Sequence, residues 1–437
     1  MITPTITSEQ SGLAQRLTQR VHMARRDTDA LFDRIPAATL YERPIAERHR
    51  LIFYLGHLEA FDWNLLTAAH QPRPAVDPAF DTLFAFGIDP LGSDLPHDAP
   101  DDWPSLTTVQ NYRRQARDAV DRLIAATPDS PDSACLLNAA IEHRLMHAET
   151  LAYLCHRLPL GSLSGPVPQD SPGMTETRPH PADSPMVRVP SGPVTLGKSR
   201  DSQTTFAWDN EYPALTLEVP TFDMDADMVT NRDYLRFVVT GAYQRSEFWT
   251  ADDWAWVQSH DIQHPGFWRQ EDGTWLLRTM FSERPLPMDW PVYVSQAEAS
   301  AYARWAGKAL PSEAQWMRAA YGVAAGLGNF DARQWDPQSV LAPTNVSAFG
   351  VRGLFGNGWE WTSTPFGPYP GFEPFHFYAG YSQNFFDGKH YVLKGGSPRT
   401  AACMMRPAFR NWFQAHYQHV YAGFRCVITE DTLCRNH

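Results

Sequence analysis

Long apolar runs are missing from these 437 residues, and so is any excess of basic charge. No stretch approaches the ~18 to 20 apolar residues that a bilayer-spanning helix needs, which argues against a membrane protein. Lys and Arg number 37 against 49 Asp and Glu, a formal charge of −12. That balance argues against a nucleic-acid partner, because proteins that bind phosphate backbones present a net basic face. Cysteine is scarce. Cys135, Cys155, Cys403, Cys426 and Cys434 are odd in number and show no paired spacing, as expected of reduced thiols in the cytoplasm and not of a disulfide framework. The opening residues, MITPTITSEQSGLAQR, lack the basic-then-apolar pattern of a signal peptide. A cytoplasmic protein is expected, monomeric or weakly homo-oligomeric, acting on small molecules.

Aromatic residues are plentiful by contrast. Phe, Trp and Tyr make up 13% of the chain, with 15 Trp, enough to line clefts or fill an irregular core. The length suits two or three domains at ~150 residues each. Residues 1–158 carry four helical apolar periods, at 9–35, 45–67, 105–127 and 131–158. In the third, Val109, Tyr112, Ala116, Ala119 and Leu123 recur at three- and four-residue steps. Ser105 and Ser130 stand where helix N-caps belong, and Pro131 suits a first helical turn, where no donor is lost. Four such helices predict an antiparallel bundle. The 68–104 connection is too long for a simple turn and long enough to reach another part of the protein. Seven prolines with Gly and Ser mark 159–185 as a linker. Residues 186–437 change texture to short strands and turns, with strand-like runs at 186–196 and 215–219. Helices are expected at 295–306, closed by Gly307, and at 312–321, while 323–430 reads as loop-rich.

The sharpest local signal is IEHRLMHAE, with His143 and His147 four residues apart on a predicted helix. That spacing puts both imidazoles on one face, with Cβ atoms about 6 Å apart, as a shared metal needs. Leu136, Ala140, His143, His147, Leu151 and Leu154 form one stripe, so both rings are expected to point into the bundle. Tyr54, His57, Phe61 and Leu65 form a second stripe on the second helix. Three inward histidines from two helices can meet. A lone inward histidine is more often a hydrogen-bonded core residue, and HRLMH lacks the Glu of the zinc-protease motif. Three imidazoles also serve zinc, so spacing alone does not choose iron. Glu149 lies off the stripe and reads as a supporting or solvated residue.

The C-terminal motifs PVYVSQAEASAYARWAGKALPSEAQWMRAA (291–320), GNGWEWT (356–362), YVLKGGS (391–397) and YAGFRC (421–426) resemble the formylglycine-generating-enzyme-like domain. That resemblance implies a C-type-lectin-like α+β fold. The N-terminal half, with LGHLEAF around His57 and the His143/His147 pair, resembles the DinB-like four-helix bundle. Together the halves are similar to the ergothioneine-biosynthesis sulfoxide synthases (EgtB-like), with 1–158 as bundle, 159–185 as linker and 186–437 as lectin-like domain. The resemblance implies Fe(II) held by His57, His143 and His147, with O2 as co-substrate. It makes Tyr378 a catalytic donor of a proton or electron. Asn411 and Trp412 fall where the family holds hercynine, a histidine betaine; an indole face suits a quaternary ammonium, which cannot donate hydrogen bonds.

Relatives that take γ-glutamylcysteine use arginines before the third helix and an Asp and Arg after the Asn-Trp pair. Here those segments read APDDWPSL (99–106) and NWFQAHYQ (411–418), with Trp103, Phe413 and Tyr417 near or at the charged positions. A dianionic peptide would lose charge-assisted bonds of roughly 1.5 to 3 kcal/mol each. Flat rings suit a sugar better, and Tyr381 is read with them as a wall residue. A selenosugar donor, as in the selenoneine synthase branch (SenA), is therefore expected, with a thiol such as cysteine or γ-glutamylcysteine as the alternative. A formylglycine-generating enzyme would need two close copper-binding cysteines after the GGS segment, where only Cys403 stands. A lectin-like binding module with incidental histidines is the remaining rival, and it would take up no stoichiometric iron.

Overall fold

Serine decides where two of the helices begin. A helix start leaves backbone N–H groups without partners, and a short hydroxyl side chain can accept from one. The Ser105 hydroxyl accepts from the Thr108 N–H at 3.3 Å, and the Ser130 hydroxyl accepts from the Ser133 N–H at 3.2 Å, with Pro131 in the first turn. The computed structural model describes residues 8–68, 74–85, 97–127, 130–165, 185–201, 205–324 and 326–430. Most of the linker read at 159–185, and Cys434, lie outside the described residues.

The chain divides into two units, the first built on the N-terminal helices and also containing His376–Tyr378. Its helices are α1 (Ser8–Phe32), α2 (Leu51–Ala68), α3 (Pro78–Leu83), α4 (Leu106–Ala126) and α5 (Pro131–His156). Helix α1 packs on α5, and α2 packs on both α4 and α5. On α4 the buried residues are Val109, Tyr112, Ala116, Val120 and Leu123, so the apolar stripe runs through Val120 and not through Ala119. Helices α2 and α5 are buried on almost every side, which is why both carry apolar residues all round.

Two expectations shift. Helix α2 starts at Leu51 and not near residue 45, because Arg50 is spent on fastening the preceding turn. Its guanidinium donates to the Tyr41 carbonyl at 2.7 Å, the Asp98 carboxylate at 2.9 Å and the Asp98 carbonyl at 2.6 Å. The described part of the 68–104 connection folds back on the bundle. Asp77 caps α3 at its start, and Phe84, just beyond α3, packs against Gly56 of α2.

The second unit is built of short strands: β1 (Met186–Val189), β2 (Gly192–Leu196), β3 (Leu215–Val219), β4 (Phe222–Asp225), β5 (Trp268–Glu271), β6 (Thr274–Arg278), β7 (Glu283–Pro285), β8 (Trp359–Pro365), β9 (His390–Lys394), β10 (Asn411–Gln414), β11 (Ala422–Gly423) and β12 (Val427–Ile428). Their sheets run β1-β4-β12, β10-β9-β8-β11, β2-β3 and β5-β6-β7. All pairs are antiparallel except β11 with β8. The run expected at 186–196 is two strands, broken at Pro190 and Ser191, and β2 opens on Gly192 at φ +152°. Helices α6 (Asn231–Val239), α7 (Ala251–Ser259), α8 (Gln296–Trp305) and α9 (Glu313–Ala319) complete the unit, and α6 and α7 were not anticipated. Helix α8 opens on the Ser295/Glu298 capping box and closes before Gly307 at φ +68°. Its core gathers Val189, Leu196, Phe222, Met224, Trp316, Val351, Leu354 and Val427 from segments far apart in the chain. The whole is α+β.

Candidate functional site

Helical spacing puts His143 and His147 on one face of α5, and the packing of α2 on α5 brings His57 to the same place. All three are buried, and their ligating atoms lie within 4.8 Å of one another. The Nε2 atoms of His57 and His147 are 3.2 Å apart, and those of His147 and His143 are 3.1 Å apart. Nitrogens on adjacent corners around one ion, with bonds of ~2.1 Å, sit about 3.0 to 3.4 Å apart. Two edges of the triangle have that length.

The donor chemistry fits as well. The Nδ1 of His57 lies 2.7 Å from the Phe84 carbonyl, which can only accept, so the ring proton sits on Nδ1 and Nε2 presents its lone pair. The Nδ1 atoms of His143 and His147 are buried without a hydrogen-bond partner. Neutral rings converging through Nε2 cannot all satisfy one another, whereas one cation accepts every lone pair. Burial pushes the His57 imidazole down to about 4. It pushes His143 and His147 well below the usual range, and neighbouring rings and Arg144 add to the effect. All three are therefore neutral at neutral pH, the form that ligates a metal.

Rings enclose the site. Phe53 stacks over His57 with ring centres 4.9 Å apart, and Phe61 lies face to face with His143 at 3.3 Å. Tyr378 meets Phe61 edge-on at 5.2 Å, one ring removed from His143. Trp103 meets Phe53 edge-on at 6.1 Å, one ring removed from His57, and its indole N–H donates to Asp98 at 2.7 Å. Asp98 also takes Arg43 and Arg50. Burial opposes its charge, but the indole and the two guanidiniums outweigh that and hold the carboxyl below the usual range. Glu149 is buried, so the solvated alternative does not hold.

The remaining expected residues lie in the second unit and form two groups. Successive side chains of a strand point to opposite faces, so Trp412 and Phe413 of β10 diverge. Trp412 stacks on Phe366 at 4.2 Å and takes Tyr381 edge-on at 5.3 Å, while Tyr381 stacks on Trp208 at 3.9 Å. Phe413 lies parallel to Tyr417 at 5.4 Å, with an interplanar angle of 2°. The Asn411 side-chain oxygen accepts from the Trp412 backbone N–H at 2.9 Å.

Sequence reasoning missed Phe84, whose contribution is a backbone carbonyl and has no side-chain signature. One signal was available. Gly56 interrupts a good helix one residue before His57, and a Cβ there would lie 2.5 Å from the Phe84 ring.

Comparison with known proteins follows the same division. Residues 20–155 match the DinB superfamily model, and residues 172–430 match the sulfatase-modifying factor enzyme 1-like domain. The chain is 34% identical to the hercynine oxygenase of Mycolicibacterium smegmatis, over 70% of this chain and 74% of that protein. It is 32% identical to the hercynine oxygenase of Mycolicibacterium thermoresistibile, over 87% of each chain. It is 25% identical to ergothioneine biosynthesis protein 1 of Neurospora crassa, over 90% of this chain and 55% of that longer protein. Identity at this level, sustained across both units, shows that the chain belongs to the EgtB-like family of oxygen-dependent oxidoreductases.

Proposed function

We propose that this chain uses Fe(II) and O2 to join the selenium of a selenosugar to hercynine, at the ring carbon between the two imidazole nitrogens. The product is a hercynyl selenoxide. The coarser activity, oxidative joining of a chalcogen to hercynine, is supported by the family and by the names of its curated relatives. The observation that carries the metal assignment is the convergence of three buried, neutral imidazoles, with Nε2 atoms 3.1 and 3.2 Å apart. His57, His143 and His147 would be the ligands. Iron(II), when bound, supplies redox chemistry with O2 and a site for a soft selenolate or thiolate.

The reaction balances without a further reductant. The ring C–H and the selenol Se–H are lost, and a C–Se bond forms. One oxygen atom ends on selenium and the other leaves as water, so four electrons from the substrates match the four that O2 accepts. The chain's own residues do the rest in this reading. The Phe53 and Phe61 rings exclude water from the imidazoles. Tyr378 supplies a proton from its phenol. Trp412 and Asn411 hold the betaine, the indole face against the trimethylammonium and the amide toward the carboxylate.

The choice of a sugar over a charged thiol rests on Trp103, Phe413 and Tyr417. Parallel rings such as Phe413 and Tyr417 offer a flat apolar face and no charge to pair with a carboxylate. Tyr381, packed between Trp208 and Trp412, would shape the wall behind the betaine. The second reading, a thiol donor, is favoured by the hercynine oxygenase names of the relatives. Purified protein reconstituted with Fe(II) and supplied with hercynine, O2 and either a 1-seleno-sugar or γ-glutamylcysteine separates the two. A hercynyl selenoxide seen by mass spectrometry supports the selenosugar reading. Turnover of γ-glutamylcysteine alone rejects it.

A further inference from the structure

We infer that Arg144 is a positioning residue for the three-histidine site, clamping α2 to α5 so that His57 meets His143 and His147 at ligand spacing. The inference rests on the metal reading above and adds a residue that no part of that reading requires. Arg144 directly follows His143 in α5 and is buried. Its Nη2 lies 2.9 Å from the Leu58 carbonyl, 2.9 Å from Glu59 and 2.6 Å from Asp62, all on α2, so its two hydrogens are shared among three acceptors. A second nitrogen reaches Glu59 at 3.3 Å. Leu58 is the residue after His57. The fork therefore grips α2 beside one ligand from a position beside another.

The clamp is part of a larger charge network. Glu59 also accepts from Arg117 at 2.8 Å and from Arg113 at 3.4 Å, both on α4. Those two arginines share Asp29 of α1. Asp29, Glu59 and Asp62 thus balance Arg113, Arg117 and Arg144, and all four long helices contribute. Apolar contacts alone let helices slide or rotate by fractions of a turn at small cost. A planar guanidinium with several directed bonds does not permit that. Burying ions is a poor way to gain stability, since desolvation offsets most of the attraction, and fixing register is the best-attested use of such groups. Lysine keeps the charge but lacks the fork, so it cannot reproduce the two-nitrogen pairing of Nη1 and Nη2 with the two Glu59 oxygens.

The test uses the full chain and Co(II) as a spectroscopic probe, with Fe(II) affinity measured by chelator competition. Arg144→Lys and Glu59→Gln are compared with Leu123→Ala, which hollows the bundle core at a buried apolar residue of α4 and removes no charge from the network. Folding is checked by circular dichroism. The expected result is a folded Arg144→Lys or Glu59→Gln protein with metal affinity lowered about 10- to 100-fold and altered Co(II) ligand-field bands. Leu123→Ala should melt at a lower temperature with Co(II) bands unchanged. Wild-type affinity and bands in both clamp variants would overturn the inference and leave the metal reading standing. Equal metal loss in Leu123→Ala would also overturn it, by making the effect one of general stability. A wild-type protein that takes up neither ion sinks both readings.

Discussion

The two units bury charge in different ways. In the helical unit Glu59 gathers Arg113, Arg117 and Arg144, and Arg144 also takes Asp62, so these ions form a connected net that spans α2, α4 and α5. In the second unit, buried ions work as staples between distant segments. Arg425 and Glu360, both fully buried, join residues 65 apart, with the Trp316 indole also donating to Glu360 at 2.9 Å. Arg406 and Glu211 join residues 195 apart. Regular helices supply their own backbone bonds and leave side chains to set register. A unit with short strands and long loops must be tied together by its side chains.

The largest effect should come from the histidines beside the net. His147→Ala should abolish stoichiometric iron uptake and lower turnover by about 100-fold or more, with helicity retained. Metal analysis and circular dichroism on one sample check it. The staples should respond oppositely. Arg425→Met leaves Glu360 charged with no cation, only the Trp316 indole, so stability should fall by about 3 to 5 kcal/mol in urea unfolding. Iron bound per folded molecule should stay unchanged. If metal uptake is lost in proportion to stability in both variants, the distinction between net and staples fails.

Smaller effects sharpen the comparison. Trp412→Ala should raise KM for hercynine about 5- to 30-fold, the equivalent of about 1 to 2 kcal/mol of cation–π attraction, and leave metal content intact. Lys394 supplies a pH test. It is buried at the end of β9, donating to the Pro407 carbonyl at 2.9 Å and to that of Phe409. Burial pushes its ammonium down from the usual 10.5 to about 8. Between those values the unfolded chain holds the proton and the folded chain releases it. Stability should therefore rise with pH in that window, by up to about 1.4 kcal/mol per unit. Lys394→Met should remove that slope, as read by urea titrations at pH 8 and 10.

The same contrast explains what was legible beforehand. Periodicity located the four long helices, because residues such as Val109, Tyr112 and Ala116 must share a face. The caps at Ser105 and Ser130 were legible because capping is local. Helices α6 and α7 were not, although Thr230 and Thr250 cap them. Each spans only 9 residues, too few for a period to stand out among Trp-rich turns. The meeting of His57 with the α5 pair followed from their stripes. The net around Arg144 did not, since Glu59, Asp62 and Arg113 look like ordinary solvated charges until α2 is known to be buried all round. Trp412 was read with hercynine and Phe413 with the chalcogen donor, and the strand sends these adjacent side chains to opposite faces.

The contact between Gly56 and Phe84 has an evolutionary consequence. The ring proton of His57 is placed by a main-chain oxygen, so mutation at position 84 cannot delete the acceptor; it can only shift the turn that carries it. The opening that admits the turn is the missing side chain at position 56. The two sites should consequently drift as a pair. A library randomised at both and selected for iron retention should return bulk at 56 only alongside a shrunken residue at 84, a covariation recorded 28 positions apart in the chain.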